Sequence, residues 1–142
     1  MDYEGLAREY MEVMYQMRKR SAQKHINDSM HGENFVLHYI SMHEGNVVPS
    51  DISNEMGITS ARIAATLNSL EGKGFISRRI DAQDRRRILI DLTDAGKEQA
   101  KKQYHMIKNI TTNMLQYLGD DDAKEFIRIM RKLADKSPED FM

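Results

Sequence analysis

The chain has 142 residues, 40% of them hydrophobic and 30% charged, and a formal net charge of −1, which is the composition of a single, soluble, helix-rich domain. The absence of cysteine excludes disulfides, thiolate catalysis, iron–sulfur clusters and thiol redox sensing. No apolar run approaches the roughly 18 residues of a membrane span, and the acidic, mixed N-terminus does not resemble a signal peptide, so we expect a cytoplasmic protein without a membrane partner.

The first predicted element is a long amphipathic helix over residues 3–26, because apolar residues recur there at steps of three and four. The turn-forming segment NDSMHGEN (27–34) is expected to end it. A second helix is predicted from about Asn34 to His43. Its nearly continuous apolar sequence indicates burial on most sides.

Residues 49–72 contain the pattern of a helix-turn-helix. A short helix with Ser50 as its cap leads to a tight turn at Gly57, and Thr59 is placed to cap a second helix that runs to about Lys73. The residues expected to pack the two helices together are Ile52, Met56, Ile58, Ile63, Leu67 and Leu70.

After Gly74 the apolar period changes from helical to strand-like. Segments 75–80 and 88–93 flank the polar loop DAQDRRR (81–87), which predicts a two-stranded hairpin. A helix-turn-helix followed by a hairpin is a winged helix. The hairpin, residues 75–92, is then its wing.

Two more helices complete the predicted fold, which is mainly α with a small β-hairpin wing. Thr93 caps the first of these helices and Gly119 closes it, and the acidic segment 120–123 starts the second, where carboxylates suit the helix dipole. The apolar stripes of the terminal helices have no second core to cover them, which predicts a homodimer. The chain, 1–142, is therefore expected to be one domain with dimerisation helices at about 3–26 and 94–136 and a winged helix at about 34–93.

The basic residues are concentrated in residues 59–90, which hold seven basic and three acidic side chains, a net charge of +4, while the rest of the chain carries −5. This asymmetry indicates a local anionic partner. Three arginines follow Asp84 at the tip of the predicted wing, where a winged helix meets the negative potential of the minor groove. One of them would insert there, its neighbours would meet flanking phosphates, and Asp84 would orient a guanidinium. The alternative is a solvated charge run at a loop tip.

The second helix of the helix-turn-helix carries a small, polar face opposite its apolar one. Small side chains let a helix approach base edges in the major groove, where Arg, Asn and Ser can bond to them. Arg62 is the candidate for a guanine contact, with a phosphate contact or a solvated arginine as the alternative. Ala61 and Ala65 would meet thymine methyl groups or are simply exposed, and hydroxyls near the helix N-termini suit phosphate oxygens. The candidate DNA-binding residues are Ser50, Thr59, Ser60, Ala61, Arg62, Ala65, Asn68, Ser69, Asp84, Arg85, Arg86 and Arg87.

Two motifs resemble those of the MarR family of multiple-antibiotic-resistance regulators. Residues 51–78, DISNEMGITSARIAATLNSLEGKGFISR, are similar to the family's helix-turn-helix running into its first wing strand. Residues 81–98, DAQDRRRILIDLTDAGKE, are similar to its wing, where Asp-x-Arg is followed by a strand and Leu-Thr-x-x-Gly. The matching residues are Asp84, Arg86, Leu92, Thr93 and Gly96. The flanking long helices also match, so the resemblance spans nearly the whole chain.

The resemblance implies a homodimer whose terminal helices intertwine and whose two winged helices bind a pseudo-palindromic operator in double-stranded DNA. It assigns the minor-groove contact to Arg86 and its orientation to Asp84. Family members mostly repress transcription, and many release DNA when a small anionic or phenolic effector binds between the dimer helices and the DNA-binding lobe. The residues in that region are Met14, Met17, His38, Tyr39 and Met42, for which core packing is the alternative.

Three other functions fit the sequence less well. A zinc-responsive regulator of the same fold is an alternative, but no two histidines are four residues apart and that branch's cysteine ligand is missing, so we expect no metal or cofactor. The residues available to such a site are His25, His31, His38, His43 and His105, with Glu33 and Glu44 nearby. An enzyme is not expected, because no nucleotide-binding or nucleophile motif is present. A winged helix used for protein contacts is the remaining alternative.

Overall fold

The structure, a computed structural model, describes residues 1–24, 28–43 and 45–142, without the side chains of residues 21–31. Its elements in chain order are α1 (Tyr3–Lys24), α2 (Asp28–Met42), α3 (Pro49–Met56), α4 (Ser60–Gly72), β1 (Ile76–Ile80), β2 (Ile88–Leu92), α5 (Asp94–Leu118), α6 (Asp120–Ala134) and a short 3-10 helix, Pro138–Phe141. The predicted fold class, mainly α with a small β-hairpin, is confirmed. The predicted end of the first helix at residue 26 lies outside the described residues.

The helix α2 begins at Asp28, so the prediction of a turn over the segment up to residue 34 is wrong. The segment contains residues of low helix propensity, but each of these costs only about 0.5–1 kcal/mol in a helix. Val36, Leu37 and Ile40 on the same helix are buried. Burying a side chain of this kind contributes about 1.5–3 kcal/mol, so tertiary packing outweighs the local preference.

The helix α3 begins with Val48 as its N-cap and Pro49 at the first helical position, so the prediction that Ser50 is the cap is wrong. Proline suits that position because its missing N–H would have no partner there. The Asp51 carboxylate accepts a hydrogen bond from the Val48 backbone N–H at 3.3 Å. Gly57 ends the helix in the left-handed conformation, with φ 65°, which confirms the predicted tight turn.

The hydrophobic core of the winged helix lies where α2, α3, α4 and the hairpin meet. Its buried residues are Val36, Leu37, Ile40, Val47, Ile52, Ile63, Leu67, Leu70, Ile76 and Ile90. The predicted packing of the helix-turn-helix is confirmed, since Met56 and Ile58 also pack against this core. The sequence pattern did not indicate the bridge between Val47 and Ile90, in which the Ile90 N–H donates to the Val47 carbonyl oxygen at 2.9 Å.

The wing is an antiparallel hairpin in which Ile76 lies opposite Leu92 and Ile80 lies opposite Ile88. Its loop is closed by two backbone hydrogen bonds, from Asp81 N to Arg87 O at 3.0 Å and from Arg87 N to Asp84 O at 2.9 Å. The predicted hairpin is therefore confirmed, with the three arginines at its tip.

Thr93 and Gly96 form the junction between the wing and α5. The Thr93 hydroxyl accepts a hydrogen bond from the Gly96 N–H at 3.0 Å, which confirms Thr93 as the helix cap. Gly96 is buried, and a Cβ atom there would overlap the carbonyl oxygen of Phe75. The Leu-Thr-x-x-Gly pattern thus has a physical reason: the threonine caps the helix, and the glycine lets it approach the start of the wing.

The chain forms two compact units, residues 1–96 and 97–142. In the second unit α6 has three aspartates in its first turn and Arg131 and Lys132 in its last, which are the signs that the helix dipole favours. No helix in the described part of the chain has both the length and the apolarity needed to cross a bilayer. The large exposed apolar side chains of α5 and α6 in this unit are Tyr104, Met106, Ile107, Ile110, Met114, Tyr117, Phe126, Ile127, Ile129, Met130 and Leu133.

Candidate nucleic-acid interface

The helix α4, which we call the recognition helix, buries one face and exposes the opposite one. Ile63, Leu67 and Leu70 are buried in the core. The Thr59 hydroxyl accepts a hydrogen bond from the Arg62 N–H at 3.2 Å, so its predicted role as the cap is confirmed. The exposed face holds five of the candidate DNA-binding residues, namely Ala61, Arg62, Ala65, Asn68 and Ser69. This face is small and polar, as a helix that enters the major groove requires.

Glu33 of α2 fastens the C-terminal half of the recognition helix. Its carboxylate accepts a 2.6 Å hydrogen bond from the Ser69 hydroxyl and forms a 2.7 Å ion pair with the Lys73 ammonium group. In the sequence, Glu33 stands out only as a carboxylate near possible metal ligands. No local pattern could have revealed this role, because Glu33 lies 36 and 40 residues from its two partners.

The charge of Glu33 is stabilised despite its burial. Burial by itself raises the pKa of this carboxyl, since only 9% of the residue is exposed. The hydrogen bonds from Lys73 and Ser69, together with the positive charge of Lys73, outweigh that effect and hold the pKa below its ordinary value. Glu33 is therefore ionised at neutral pH, where its carboxylate binds the side chains of Ser69 and Lys73.

Asn68, near the middle of the exposed face, is held by an arginine of the wing. The Asn68 Oδ1 accepts a 2.8 Å hydrogen bond from a terminal guanidinium nitrogen of Arg78 on β1. The Nε of the same guanidinium lies 3.3 Å from a carboxylate oxygen of Glu71. Arg78 was not among the candidate site residues, because its partner lies ten residues earlier in a different element.

Arg86 projects from the wing tip in a defined orientation. Its side chain is 91% exposed, yet its Nε lies 3.1 Å from Asp84 Oδ1 and a terminal nitrogen lies 3.4 Å from Asp84 Oδ2. Asp84 Oδ1 also accepts a hydrogen bond from the Arg86 backbone N–H at 3.1 Å. The hydrogen bonds that Arg86 donates hold the pKa of Asp84 below its ordinary value. The structure thus brings together the pair that the family resemblance selected.

The three wing arginines differ in their surroundings. Arg87 is half-exposed, and its guanidinium lies 3.8 Å from the Asp81 carboxylate. Arg85 is exposed at the loop tip. Of these three cations, Arg86 is the one with the two-point carboxylate contact within the wing.

A cavity of about 390 Å³ joins the wing to the N-terminal ends of α3 and α4. It brings Ser50 and Ser60 together with Arg86 and Arg87. Hydroxyls near helix N-termini and two guanidinium groups form a surface suited to phosphate oxygens. The full lining is Val48, Pro49, Ser50, Ser60, Ile63, Arg86, Arg87 and Ile88.

The five residues predicted for an effector pocket lie on α1 and α2. Met14, Met17 and Met42 are exposed, as is His38. Tyr39 is partly buried against the core, and its ring stacks on that of His43 with 4.2 Å between the ring centres. Burial and the nearby carboxylates of α3 raise the pKa of Tyr39.

Among the side chains that the structure describes, no three His, Asp or Glu residues converge into a group that could hold a metal ion. Glu33, one of the residues available to the zinc alternative, is bound to Ser69 and Lys73. His25, His31 and Glu44, which belong to the same alternative, lie outside the described side chains.

Comparison with known proteins places this geometry in a family. The family model described as winged helix DNA-binding domain matches residues 33–111, which include the helix-turn-helix and the wing. The chain belongs to this winged helix family. A curated relative, the uncharacterized HTH-type transcriptional regulator YwhA of Bacillus subtilis, is 29% identical over 125 residues that cover 88% of this chain and 87% of YwhA.

Solved structures confirm the fold of this winged helix protein. It is similar to the YusO protein of Bacillus subtilis, with a TM-score of 0.71, 23% identity and coverage of 93% of this chain and 97% of YusO. It is similar to MarR, with a TM-score of 0.63, 25% identity and coverage of 72% and 69%. A MepR–DNA complex from S. aureus gives a TM-score of 0.60, 23% identity and coverage of 95% and 98%. The MarR-family resemblance is thus confirmed, and the protein is a MarR-like transcriptional regulator with a winged-helix DNA-binding domain.

Proposed function

We propose that this protein is a homodimeric repressor that binds a pseudo-palindromic operator and releases it when a small-molecule effector binds. The observation that carries the proposal is the pairing of Arg86 with Asp84. An exposed guanidinium held by two hydrogen bonds loses less conformational freedom on binding than a free one would. Such a group at the tip of a wing suits the negative potential of a narrow minor groove.

The recognition helix supplies the second part of the interface. Its exposed face is free of large side chains except Arg62, so its backbone can approach base edges closely. In this proposal Arg62 contacts a base, Ala61 and Ala65 meet thymine methyl groups, and hydroxyls at the helix N-termini bind phosphates. The remaining proposed contacts are made by Ser50, Thr59, Ser60, Asn68, Ser69, Arg85 and Arg87. The S. aureus MepR–DNA complex, which shares the fold, supports DNA as the partner.

The exposed apolar residues of the terminal helices support the homodimer. Leu6, Tyr10 and Val13 on α1 are about half exposed or more, and α6 exposes Ile127 and Met130 to a similar extent. Monomeric proteins rarely leave apolar surfaces of this kind uncovered. Each α1, α5 and α6 would therefore pack against a second copy, which places two wings and two recognition helices on one duplex.

We infer the effector from the resemblance to the MarR family. A small anionic or phenolic molecule would bind near α1 and α2, in the region of Met14, Met17, His38, Tyr39 and Met42. Its binding would shift the spacing of the two winged helices away from the one that fits DNA. Repression relieved by such a ligand is the regulatory outcome that follows.

The first experiment is fluorescence anisotropy of the purified protein with a labelled duplex from the promoter region next to its own gene. A scrambled duplex of the same composition is the control, and both are measured at two salt concentrations. We expect selective binding that weakens steeply with salt, because phosphate contacts release counterions. If binding is weak and equal for both duplexes, the next step is to select binding sites from a randomised DNA pool. Failure to enrich any sequence from that pool would contradict the proposal and favour a protein-contact role for the winged helix.

A further inference from the structure

We propose that Asn68 and Arg78 together turn hydrogen-bond donors towards the DNA and so select guanine at one position of each operator half-site. This inference rests on the proposed function and adds a specificity-determining pair to it. Asn68 was a candidate contact without an assigned base, and Arg78 was assigned no role by its sequence context.

The contact between the two side chains sets the orientation of the Asn68 amide. A guanidinium group has five N–H donors and no acceptor, so the Asn68 atom that lies 2.8 Å from it must be the carbonyl oxygen. The amide NH2 group is therefore turned away from Arg78. Because Asn68 is exposed on the face of the recognition helix opposite Ile63, Leu67 and Leu70, that NH2 group is available to a base edge.

The position of Arg78 is itself determined by contacts on both sides. Its Nε lies 3.3 Å from Glu71, which is one helical turn beyond Asn68 on the same helix. Its backbone pairs with that of Ile90, which is fully buried, in the hairpin. The guanidinium thus contacts two residues of the recognition helix from a paired strand, which sets both its own position and that of the Asn68 amide.

The base preference follows from donor and acceptor patterns in the major groove. Guanine presents two acceptors there, N7 and O6, whereas adenine presents the N7 acceptor and the N6 amino donor. A free asparagine binds adenine through both of its amide atoms. Here the carbonyl oxygen is turned towards Arg78, from which it accepts a hydrogen bond, so the adenine amino group would meet the Asn68 NH2 group and the guanidinium, which are both donors. The NH2 group of Asn68 and the remaining N–H groups of Arg78 match the two acceptors of guanine.

The test is selection of binding sites from a randomised duplex pool by the full-length protein and its variants, followed by competition binding with single-base changes. For the wild-type protein we expect guanine to be favoured over adenine by about tenfold at one position in each half-site. Asn68→Ala should lose the preference at that position and keep it elsewhere. Arg78→Met should free the amide and shift the preference towards adenine, whereas Arg78→Lys, which keeps a donor, should retain guanine.

Arg79→Met is the matched control, because it makes the same chemical change at the next residue of the strand. Arg79 pairs with Asp91 at 2.7 Å within the hairpin. The Arg79→Met variant should have the same base preference as the wild type at every position of the operator. Urea unfolding should show that every variant is folded. If the wild type enriches a motif but Asn68→Ala and Arg78→Met leave every base preference unchanged, this inference is wrong while the DNA-binding proposal stands. A wild-type pool without any enriched motif would overturn both.

Discussion

The hydroxyl of Thr93 donates a 2.5 Å hydrogen bond to the carbonyl oxygen of Gly74 and so joins the end of the wing to the end of the recognition helix. Gly74 adopts the left-handed conformation, with φ 79°, and the next N–H, that of Phe75, donates back to Leu70 at 3.0 Å. The Thr93 N–H in turn donates to the Phe75 carbonyl oxygen at 3.1 Å. The wing and the recognition helix are thus joined by one backbone junction that fixes the spacing between them at this end.

Gly96→Ala should destabilise the protein by about 1–3 kcal/mol, which is the range of an overpacked site. The added methyl group would overlap the Phe75 carbonyl oxygen, and backbone atoms cannot move aside cheaply. Urea unfolding followed by circular dichroism measures the change. Gly72→Ala is the control, since a Cβ atom at Gly72 meets nothing within 4 Å and alanine favours a helix. Equal stabilities of the two variants would contradict the prediction.

Arg86→Ala should weaken operator binding by about 1–3 kcal/mol without changing the free energy of unfolding. The side chain is almost fully exposed, so its removal costs no packing, and its guanidinium is the group proposed for the minor groove. Anisotropy titration of the selected duplex gives the affinity. Arg128→Ala, which removes an exposed arginine paired with Glu125 on α6, controls for the loss of one positive charge. An unchanged affinity for Arg86→Ala would disprove the role of the wing.

Asp84→Asn should weaken operator binding less than Arg86→Ala does. The amide can still accept one hydrogen bond from the Arg86 side chain, but it no longer attracts the guanidinium by charge. The loss should disappear in the Arg86→Ala background, because Asp84 acts through Arg86. A double-mutant cycle measured by anisotropy checks this dependence, and two independent, additive losses would refute it.

Glu33→Gln should lower the free energy of unfolding by about 1–2 kcal/mol at neutral pH, because it removes charge-assisted hydrogen bonds to Ser69 and Lys73. The pKa of Glu33 is lowered on folding, so its stabilisation is fully present above the ordinary value of 4.5 and is lost as pH falls through the folded pKa. The difference between wild type and variant should therefore shrink under acidic conditions. Urea unfolding over a pH series measures it, and a difference that grows as pH falls would show that the sign is wrong.

The operator half-sites should be centred about one helical turn, roughly 10 base pairs, apart. This spacing follows from two winged helices in one homodimer, whose interface would cover the exposed apolar side chains of α1, α5 and α6. Footprinting on the selected duplex should show two-fold symmetry, and light scattering should show a dimer without DNA. A monomer with an asymmetric footprint would contradict both the dimer and the spacing.

Local signals in the sequence were sufficient to predict turns and helix caps, which depend on a residue and its near neighbours along the chain. Gly57 for the turn and Thr59 and Thr93 for the helix caps were predicted because backbone conformation and capping depend on residues a few positions away. The same local reasoning failed at Ser50 and in the segment before Asn34. At Ser50 the adjacent Pro49 decided where the helix begins, and before Asn34 the burial of α2 outweighed weak helix propensity.

The sequence by itself determined the winged helix and its arginine-rich tip, since both depend on spacing along the chain, and the family resemblance selected Arg86 as the partner of Asp84. Only the tertiary structure decided how the recognition helix is held. Glu33 reaches Ser69 and Lys73, Arg78 reaches Asn68, and Gly96 meets Phe75, each across elements that no sequence period relates. Hydrogen bonds and ion pairs form wherever folding brings a donor to an acceptor, and that proximity depends on the packing of the whole core rather than on local sequence.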